Sequence, residues 1–170
     1  QKGEKAKQVR LAHQNAKLLL GEWVINKKKR KDLIPKMVKQ LQDDLQLKAP
    51  PRKIECFDIS HLGGTNTVAS MVCFMDGKPR KNNYRKYNIK SVDGIDDFAS
   101  IREVVYRRYK RVKEEGDGFP DLIVVDGGKG QLSMAVSALR ELGLDYLPII
   151  SLAKKLEEVF IPGNSDAQSI

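Results

Sequence analysis

The sequence of 170 residues has few cysteines, few histidines and no long apolar segment. Cys56 and Cys73 each lie in an apolar, strand-like run, which excludes a disulfide scaffold and a cysteine-rich zinc site. No run of about 18 apolar residues is present, so we expect no membrane span. With only His13 and His61, an active site must depend on carboxylates, hydroxyls or lysines. We expect a protein of the reducing cytoplasm.

Positive charge exceeds negative charge, and the excess lies near the N-terminus. The chain has 31 Lys and Arg against 22 Asp and Glu, for a net charge of +9. Residues 1–48 contain 13 basic and 5 acidic residues, whereas residues 49–170 contain 18 and 17. A basic arm attracts polyanions, most commonly nucleic acid, because contacts to phosphates release counterions. A solvated helical surface explains the same charges equally well, and the run Lys27–Lys31 fits a plain basic loop.

The N-terminal part of the sequence has helical periodicity. Residues 3–25 are rich in Ala, Lys, Gln and Leu, and apolar residues recur at the spacing that predicts one apolar stripe. A second helix is predicted over residues 32–46. Ala49–Pro51 then interrupts regular structure. We therefore predict a basic helical arm over residues 1–48 and a second domain over residues 49–170.

After this linker the pattern indicates an α/β domain. Asp76-Gly77 is the strongest hairpin-type turn in the chain. The order β-β-β-α-β-α-β predicts a mixed sheet, in which a three-stranded antiparallel meander precedes parallel strands, with helices on its faces. This pattern is shared by RNase H-like folds. The predicted strands are Arg52–Ile59, Thr67–Met75, Asn83–Ile89, Leu122–Val125, Leu147–Ser151 and one beginning at Val159, and the predicted helices are Asp96–Lys113 and Gln131–Leu142.

Two aspartates at the ends of apolar strands are candidate metal ligands. Asp58 lies near the end of the first predicted strand, and Asp126 directly follows Leu122–Val125. If both strands are central and parallel, both carboxylates emerge at one sheet edge, where α/β sheets bind ligands. Two carboxylates about 4 Å apart repel by ~4 kcal/mol at an effective dielectric of about 20, and a divalent cation relieves this repulsion. Such oxygen ligands suit Mg²⁺ or Mn²⁺, which support phosphodiester cleavage. The alternative is that each Asp caps the turn or helix after it.

The loop Gly127–Gly130 resembles a phosphate loop only superficially, because it lacks the Walker A spacing. Its glycines permit close approach of backbone to a substrate phosphate, with Lys129 as a positive charge. His61 follows the first of the two aspartates closely. Its position is consistent with a metal ligand and equally with a hydrogen bond to the predicted Gly63-Gly64 turn.

Four segments of the chain together carry a resemblance to a known family. They are, in order, IECFDISH, YRKYNIK, DDFASIREVVYRRY and PDLIVVDGGKGQL. In order and spacing they closely resemble the C-terminal nuclease half of UvrC, the incising subunit of bacterial nucleotide excision repair. The resemblance runs from about Arg52 to at least Lys155, and residues 1–48 are similar to the helical segment that leads into this half.

The resemblance implies an RNase H-like, metal-dependent DNA endonuclease domain that makes the incision 5′ of a lesion. Asp58 and Asp126 match the family's metal-binding aspartates, with Mg²⁺ or Mn²⁺ as the cofactor. Asp97 matches a further carboxylate at the head of the long helix, in an accessory catalytic role. The family's catalytic histidine lies in an Arg-Asp-Glu-x-His segment, which neither His13 nor His61 matches. We therefore expect this chain to be a fragment that is inactive by itself.

The resemblance also implies double-stranded damaged DNA and a UvrB–DNA complex as partners, with no membrane association, and we expect a monomer. Lys129, Arg107 and Arg108 are predicted to contact DNA phosphates or to support the sheet edge. Solvated salt bridges on the helix are an equal alternative for Arg107 and Arg108. The alternative functions are a non-catalytic nucleic-acid-binding module on the same fold and a small nucleotide-binding α/β protein.

Overall fold

The computed structural model describes five stretches of the chain, residues 2–62, 66–90, 96–153, 158–164 and 168–169. The chain divides into two compact units, Gln1–Pro35 and Lys36–Ile170. This division differs from the predicted boundary after residue 48. The helix that follows Pro35 belongs to the second unit because Leu41 within it and Leu45 just after it pack against the sheet.

The first unit consists of one long helix, α1 (Lys2–Asp32). The basic run Lys27–Lys31 is helical rather than a loop, because Lys and Arg are good helix formers. The helix ends before Pro35, which disfavours helical backbone at the preceding residue. The side chains of the predicted apolar stripe are exposed. Large apolar side chains of α1 that are more than half exposed are Val9, Leu11, Leu18, Leu19, Leu20, Trp23, Val24 and Ile25.

The second unit begins with α2 (Lys36–Asp44) and continues with strands and helices in alternation. None of the helices in the described stretches is long and apolar enough to cross a membrane. A short 3₁₀ turn at Lys81–Asn83 precedes the fourth strand. The remaining elements are β1 (Lys53–Leu62), β2 (Asn66–Met75), β3 (Lys78–Pro79), β4 (Arg85–Asn88), α3 (Asp97–Glu115), β5 (Leu122–Asp126), α4 (Lys129–Glu141), β6 (Ile149–Ala153), β7 (Glu158–Phe160) and β8 (Gln168–Ser169).

The strands among the described residues form one mixed sheet in the order β3-β2-β1-β5-β6-β7-β8, with β4 also paired to β2. β1 and β2 are antiparallel, and β2 pairs antiparallel with β4. β1 pairs in parallel with β5, and β5 in parallel with β6. The predicted antiparallel meander followed by parallel strands is therefore confirmed. β1 is longer than predicted, because it pairs with β2 as far as Leu62.

The two faces of the sheet have different coverings, which we call the closed face and the open face. The closed face packs against α3 and α4, and its strand residues include Phe57, Met71, Ile123, Val125 and Ile149. The predicted helix over Asp96–Lys113 is confirmed as α3, and its buried side lies on this face, since Ile101, Val104, Val105 and Tyr109 are all 0% exposed. The open face carries Ile54, Leu122, Val124, Ile150 and Leu152, with α2 packed against part of it.

Short-range interactions fix the turns between these elements. Asp76 and Gly77 both have positive φ, 53° and 74°, as the predicted hairpin turn requires. The Asp96 carboxylate accepts the backbone N–H groups of Phe98 and Ala99 and so caps α3. Gly116 ends the same helix in the left-handed conformation, with φ 71°. The hairpin signal is local, which explains why the sequence predicts that turn well.

Candidate active site

Asp58 and Asp126 lie side by side on neighbouring parallel strands. The parallel ladder of β1 and β5 pairs Phe57 with Val125, and the two aspartates occupy the next position on each strand. Neighbouring strands are about 4.8 Å apart, so the two residues lie one strand spacing from each other. Asp126 is the last residue of β5, whereas Asp58 lies within β1 rather than near its end as predicted.

Both aspartates line one concavity of about 260 Å³ on the open face. Side chains alternate between the faces of a strand, so Asp58 points away from the closed-face residue Phe57. Ser60 Oγ donates to Asp58 Oδ2 at 3.4 Å from the same face. The residues lining the concavity are Cys56, Phe57, Asp58, Ser70, Val72, Val124, Asp126 and Leu152.

The third predicted carboxylate, Asp97, does not join this pair among the described contacts. Asp97 is the first residue of α3, a helix that packs on the closed face. Its Oδ1 lies 2.7 Å from Nε2 of His61, while His61 Nδ1 lies 3.1 Å from Thr67 Oγ1. A carboxylate can only accept, so Nε2 carries the proton that it donates to Asp97. In the described contacts Asp97 therefore pairs with His61, and it is not among the residues that line the concavity.

His61 therefore has both ring nitrogens engaged within the chain. These contacts involve the same ring nitrogens that the two predicted interactions, metal ligation or a hydrogen bond to the Gly63-Gly64 turn, would use. Gly63 and Gly64 lie outside the described residues. Among the described residues, no group of three or more His, Cys, Asp and Glu side chains is arranged to hold a metal ion.

The donor set at the Asp58–Asp126 pair fits a hard divalent cation. Two carboxylates on adjacent strands offer up to four oxygen ligands on one face, the type that Mg²⁺ and Mn²⁺ prefer. Cys56, which lines the same concavity, offers no thiolate, because burial, reinforced by Cys73 and Glu55, raises the pKa of its thiol to about 11. The side chains thus favour oxygen coordination by the aspartates over a soft metal held by sulfur.

The loop after Asp126 is shaped by close contacts of its glycines. Gly127 has φ 156°, and the backbone N–H of Gly128 donates to Gln131 Oε1 at 3.0 Å. Gly128 is the N-cap residue of α4, which begins at Lys129 rather than at Gln131 as predicted. A Cβ at Gly130 would overlap the ring of Phe98 at the start of α3. The glycines therefore serve backbone geometry here, and Lys129 is exposed at the first turn of α4.

Arg108 is held inside the fold rather than presented to solvent. Its Nε and Nη2 donate to the two carboxylate oxygens of Glu55 at 3.1 and 2.7 Å, and Tyr109 Oη donates to the same carboxylate at 3.1 Å. The Arg108 side chain is 11% exposed and that of Glu55 is 1% exposed. Burial by itself lowers the pKa of Arg108, but the hydrogen bond and charge of Glu55 outweigh it and raise that pKa. Burial, followed by the charge of Glu55, raises the pKa of Tyr109. These contacts favour the predicted supporting role of Arg108 over a phosphate contact.

Arg107 lies closer to the surface but also has partners in the chain. Its Nη1 donates to the backbone oxygen of Asn88 and to Glu103 Oε1, both at 2.8 Å. Its guanidinium lies 5.7 Å from the centre of the Tyr87 ring. Arg107 thus connects α3 to β4, and its 36% exposed side chain stays a candidate for a phosphate contact, as does Lys129.

Comparison with known proteins shows to which family this chain belongs. Residues 42–170 match the family described as the UvrC RNAse H endonuclease domain. The chain belongs to this UvrC family. The resemblance and the RNase H-like mixed sheet expected from the sequence are therefore confirmed.

Curated UvrC relatives match nearly the whole chain. UvrABC system protein C of Salinibacter ruber is 52% identical over 170 residues, which are 98% of this chain and 27% of that protein. The protein of the same name from Cytophaga hutchinsonii is 52% identical over 167 residues, 98% of this chain and 28% of that protein. This chain therefore spans little more than a quarter of the length of these UvrC relatives. Among solved structures, Endonuclease V of Ciona intestinalis in complex with a 24mer DNA has a TM-score of 0.49 at 16% identity, covering 89% of this chain and 63% of that chain.

Sequence reasoning overlooked two residues of this UvrC domain, one beside the aspartates and one that holds Arg108 on the closed face. Ser70 lines the concavity and is the direct cross-strand partner of Asp58. Counting residues outward from a two-residue Gly63-Gly64 turn would have paired Asp58 with Ala69 instead, one position off the observed register. Glu55, which anchors Arg108, carries a weaker signal: a carboxylate inside an apolar strand requires a buried partner.

Proposed function

We propose that this chain carries the incision chemistry of its family: metal-dependent hydrolysis of a DNA phosphodiester 5′ of a lesion during nucleotide excision repair. The observation that carries this proposal is the register that sets Asp58 beside Asp126 on one face of the sheet. Family membership supports an endonuclease domain, and the paired carboxylates supply a reason for metal dependence.

In this proposal Asp58 and Asp126 hold the cation at the open face. Bound Mg²⁺ or Mn²⁺ supplies Lewis-acid stabilisation of phosphate charge and lowers the pKa of water. Asp97 acts indirectly, since its carboxylate orients His61 at the end of β1 and leaves the cation to the other two aspartates. Lys129 and Arg107 are the candidate phosphate contacts, because Arg108 is committed to Glu55.

Double-stranded damaged DNA and a UvrB–DNA complex are the proposed partners, with the protein acting as a monomer in the cytoplasm. Support for these partners comes from the relatives, which are named as members of the UvrABC system. The basic N-terminal region supports DNA binding independently, because residues 1–48 hold 13 Lys and Arg against 5 Asp and Glu.

A non-catalytic nucleic-acid-binding module is the rival function, with both aspartates acting as caps. The geometry disfavours it. Gly128, and not Asp126, is the N-cap residue of α4, and Asp58 lies within β1 with strand residues on both sides. A capping role also does not account for the placement of both carboxylates on one concavity.

A nicking assay on supercoiled plasmid tests the proposal. Residues 1–170 should nick poorly, because the family's Arg-Asp-Glu-x-His segment is not among them. A longer chain that adds this segment should nick with Mg²⁺, and Asp126→Asn in that chain should remove the activity. Asp117→Asn, which changes an exposed carboxylate in the loop after α3, is the matched control and should retain it. Nicking by the longer chain that survives Asp126→Asn would refute the proposed metal site.

A further inference from the structure

The segment from Lys78 to Lys90 is the most basic stretch of the folded unit. It contains six Lys and Arg and no Asp or Glu, whereas residues 49–170 as a whole are nearly neutral. The segment includes β3, the 3₁₀ turn and β4, and β4 pairs with β2 on the side away from β1. It therefore forms a basic edge of the sheet, separated by β2 from the strands that carry the acidic pair.

Alternation along β4 separates the side chains of this edge into two sets. Tyr87 packs against the closed-face core, under the guanidinium of Arg107. Neighbouring residues of a strand point to opposite faces, so Lys86 lies on the open face. Lys86 is exposed, and no hydrogen bond or ion pair joins its side chain to the described part of the chain. Arg85, by contrast, donates Nη1 to the backbone oxygens of Asn82 and Tyr84.

The strand registers place Lys86 in one row with the acidic pair. Lys86 pairs with Ser70 across β4 and β2, and Ser70 pairs with Asp58 across β2 and β1. Asp126 follows on β5, one position beyond the last parallel pair. Two strand spacings, about 10 Å, separate the backbones of Lys86 and Asp58. One face thus presents a positive group, a hydroxyl and two carboxylates in line across four strands.

We propose that Lys86 binds a backbone phosphate of the DNA strand whose phosphodiester enters the Asp58–Asp126 concavity. This inference rests on the proposed function and adds the path of the DNA across the sheet. A phosphate strand laid along the row meets Lys86 at the basic edge, a hydroxyl at Ser70 and the cation site at the aspartates. Lys86 offers a mobile point charge suited to a phosphate, and the metal-free aspartates repel DNA, so the lysine also offsets their charge.

Salt-dependent binding of residues 1–170 to a fluorescein-labelled duplex in EDTA tests this assignment. Lys86→Gln should weaken binding several-fold at low salt and should reduce the slope of log K against log salt by about 1, the loss of one phosphate contact. Arg85→Gln removes the same charge from the adjacent residue on the opposite face and should leave the slope unchanged. An unchanged slope for Lys86→Gln, or equal losses for both variants, would overturn the assignment.

A second readout separates this inference from the proposed function. The Mn²⁺-induced rise in melting temperature should be the same for wild type and Lys86→Gln, because Lys86 does not hold the cation. If Mn²⁺ binds as expected but the salt slope does not respond to Lys86→Gln, only the phosphate contact is wrong. If the slope responds but no protein binds Mn²⁺, Lys86 is a DNA contact and the metal-dependent function fails.

Discussion

The two faces of the sheet differ most clearly along β1, where neighbouring residues belong to different environments. Glu55 and Phe57 point to the closed face, are 0% exposed, and meet α3. Cys56 and Asp58 point to the open face and line the concavity with Asp126. One strand of alternating side chains therefore supplies both the core that stabilises the domain and the carboxylates that serve its chemistry.

This difference shows how the domain can tolerate an acidic pair. The closed face buries a carboxylate only where Glu55 receives two donors from Arg108 and one from Tyr109. The open face keeps its carboxylates in a concavity, where a cation or solvent can approach them. Removal of a carboxylate should therefore lower the free energy of unfolding strongly on the closed face and only slightly on the open face.

The largest effect is expected from Glu55→Ala on the closed face. The substitution leaves the Arg108 guanidinium buried without its counter-charge, so the free energy of unfolding should fall by about 3–5 kcal/mol. Urea unfolding followed by circular dichroism measures this loss. Glu114→Ala, at an exposed position of α3, is the control and should change stability by less than about 0.5 kcal/mol. Equal effects of the two variants would mean that Glu55 does not anchor the helix.

An intermediate effect is expected from pH at Cys56. Burial raises the pKa of its thiol from 9.0 to about 11, so the folded state holds the proton at pH values where the unfolded chain loses it. Stability from this group is complete below pH 9 and is lost as pH rises towards 11, by up to about 2 kcal/mol. Urea unfolding between pH 8 and 11 in reducing buffer should show a shallower decline for Cys56→Ala. The decline in unfolding free energy that remains in Cys56→Ala is expected to come from the other buried groups with raised pKa, Cys73 and Tyr109.

The smallest effect on stability is expected from removal of the first unit. Because α2 packs with the sheet, deletion of residues 1–35 rather than 1–48 should leave the unfolding free energy within about 0.5 kcal/mol of the full chain. The same deletion removes ten Lys and Arg and three Asp and Glu, so the dependence of DNA affinity on salt should flatten. An unchanged salt slope would assign DNA binding to the folded unit alone, where Lys86 and Lys129 are exposed.

The parts of the fold and of the candidate site that could be predicted are those that depend on residues close together in the sequence. The hairpin turn at Asp76-Gly77 and the helix α3 follow from neighbouring residues, and both are confirmed. The partner of Arg108 could not be predicted, because Glu55 meets it only when α3 packs on β1. The register that sets Asp58 beside Asp126 is likewise non-local. The two aspartates at predicted strand ends indicated that their carboxylates lie close together. Only the folded structure shows which face of the sheet carries them and that Lys86 lies in the same row.

The end of α1 and the start of α2 are set by two opposing effects, the helix propensity of the basic residues and the backbone restriction before Pro35. The basic run Lys27–Lys31 extends the first helix, since its residues favour helix wherever nothing interrupts them. The predicted second helix over residues 32–46 begins instead at Lys36, after Pro35. The rule that a proline disfavours helix at the residue before it would have given this start from sequence alone.

The most direct test of the account is thermal melting of wild type, Asp126→Asn and Asp117→Asn, each with and without millimolar Mn²⁺. If Asp58 and Asp126 hold a cation together, Mn²⁺ at about tenfold its dissociation constant should raise the melting temperature of wild type and Asp117→Asn by roughly 3–6 °C. Asp126→Asn should show no such rise. Its metal-free melting temperature should equal or exceed that of wild type, because one of two neighbouring charges is gone. A Mn²⁺-induced rise that Asp126→Asn retains, or no rise in wild type, would contradict the shared metal site.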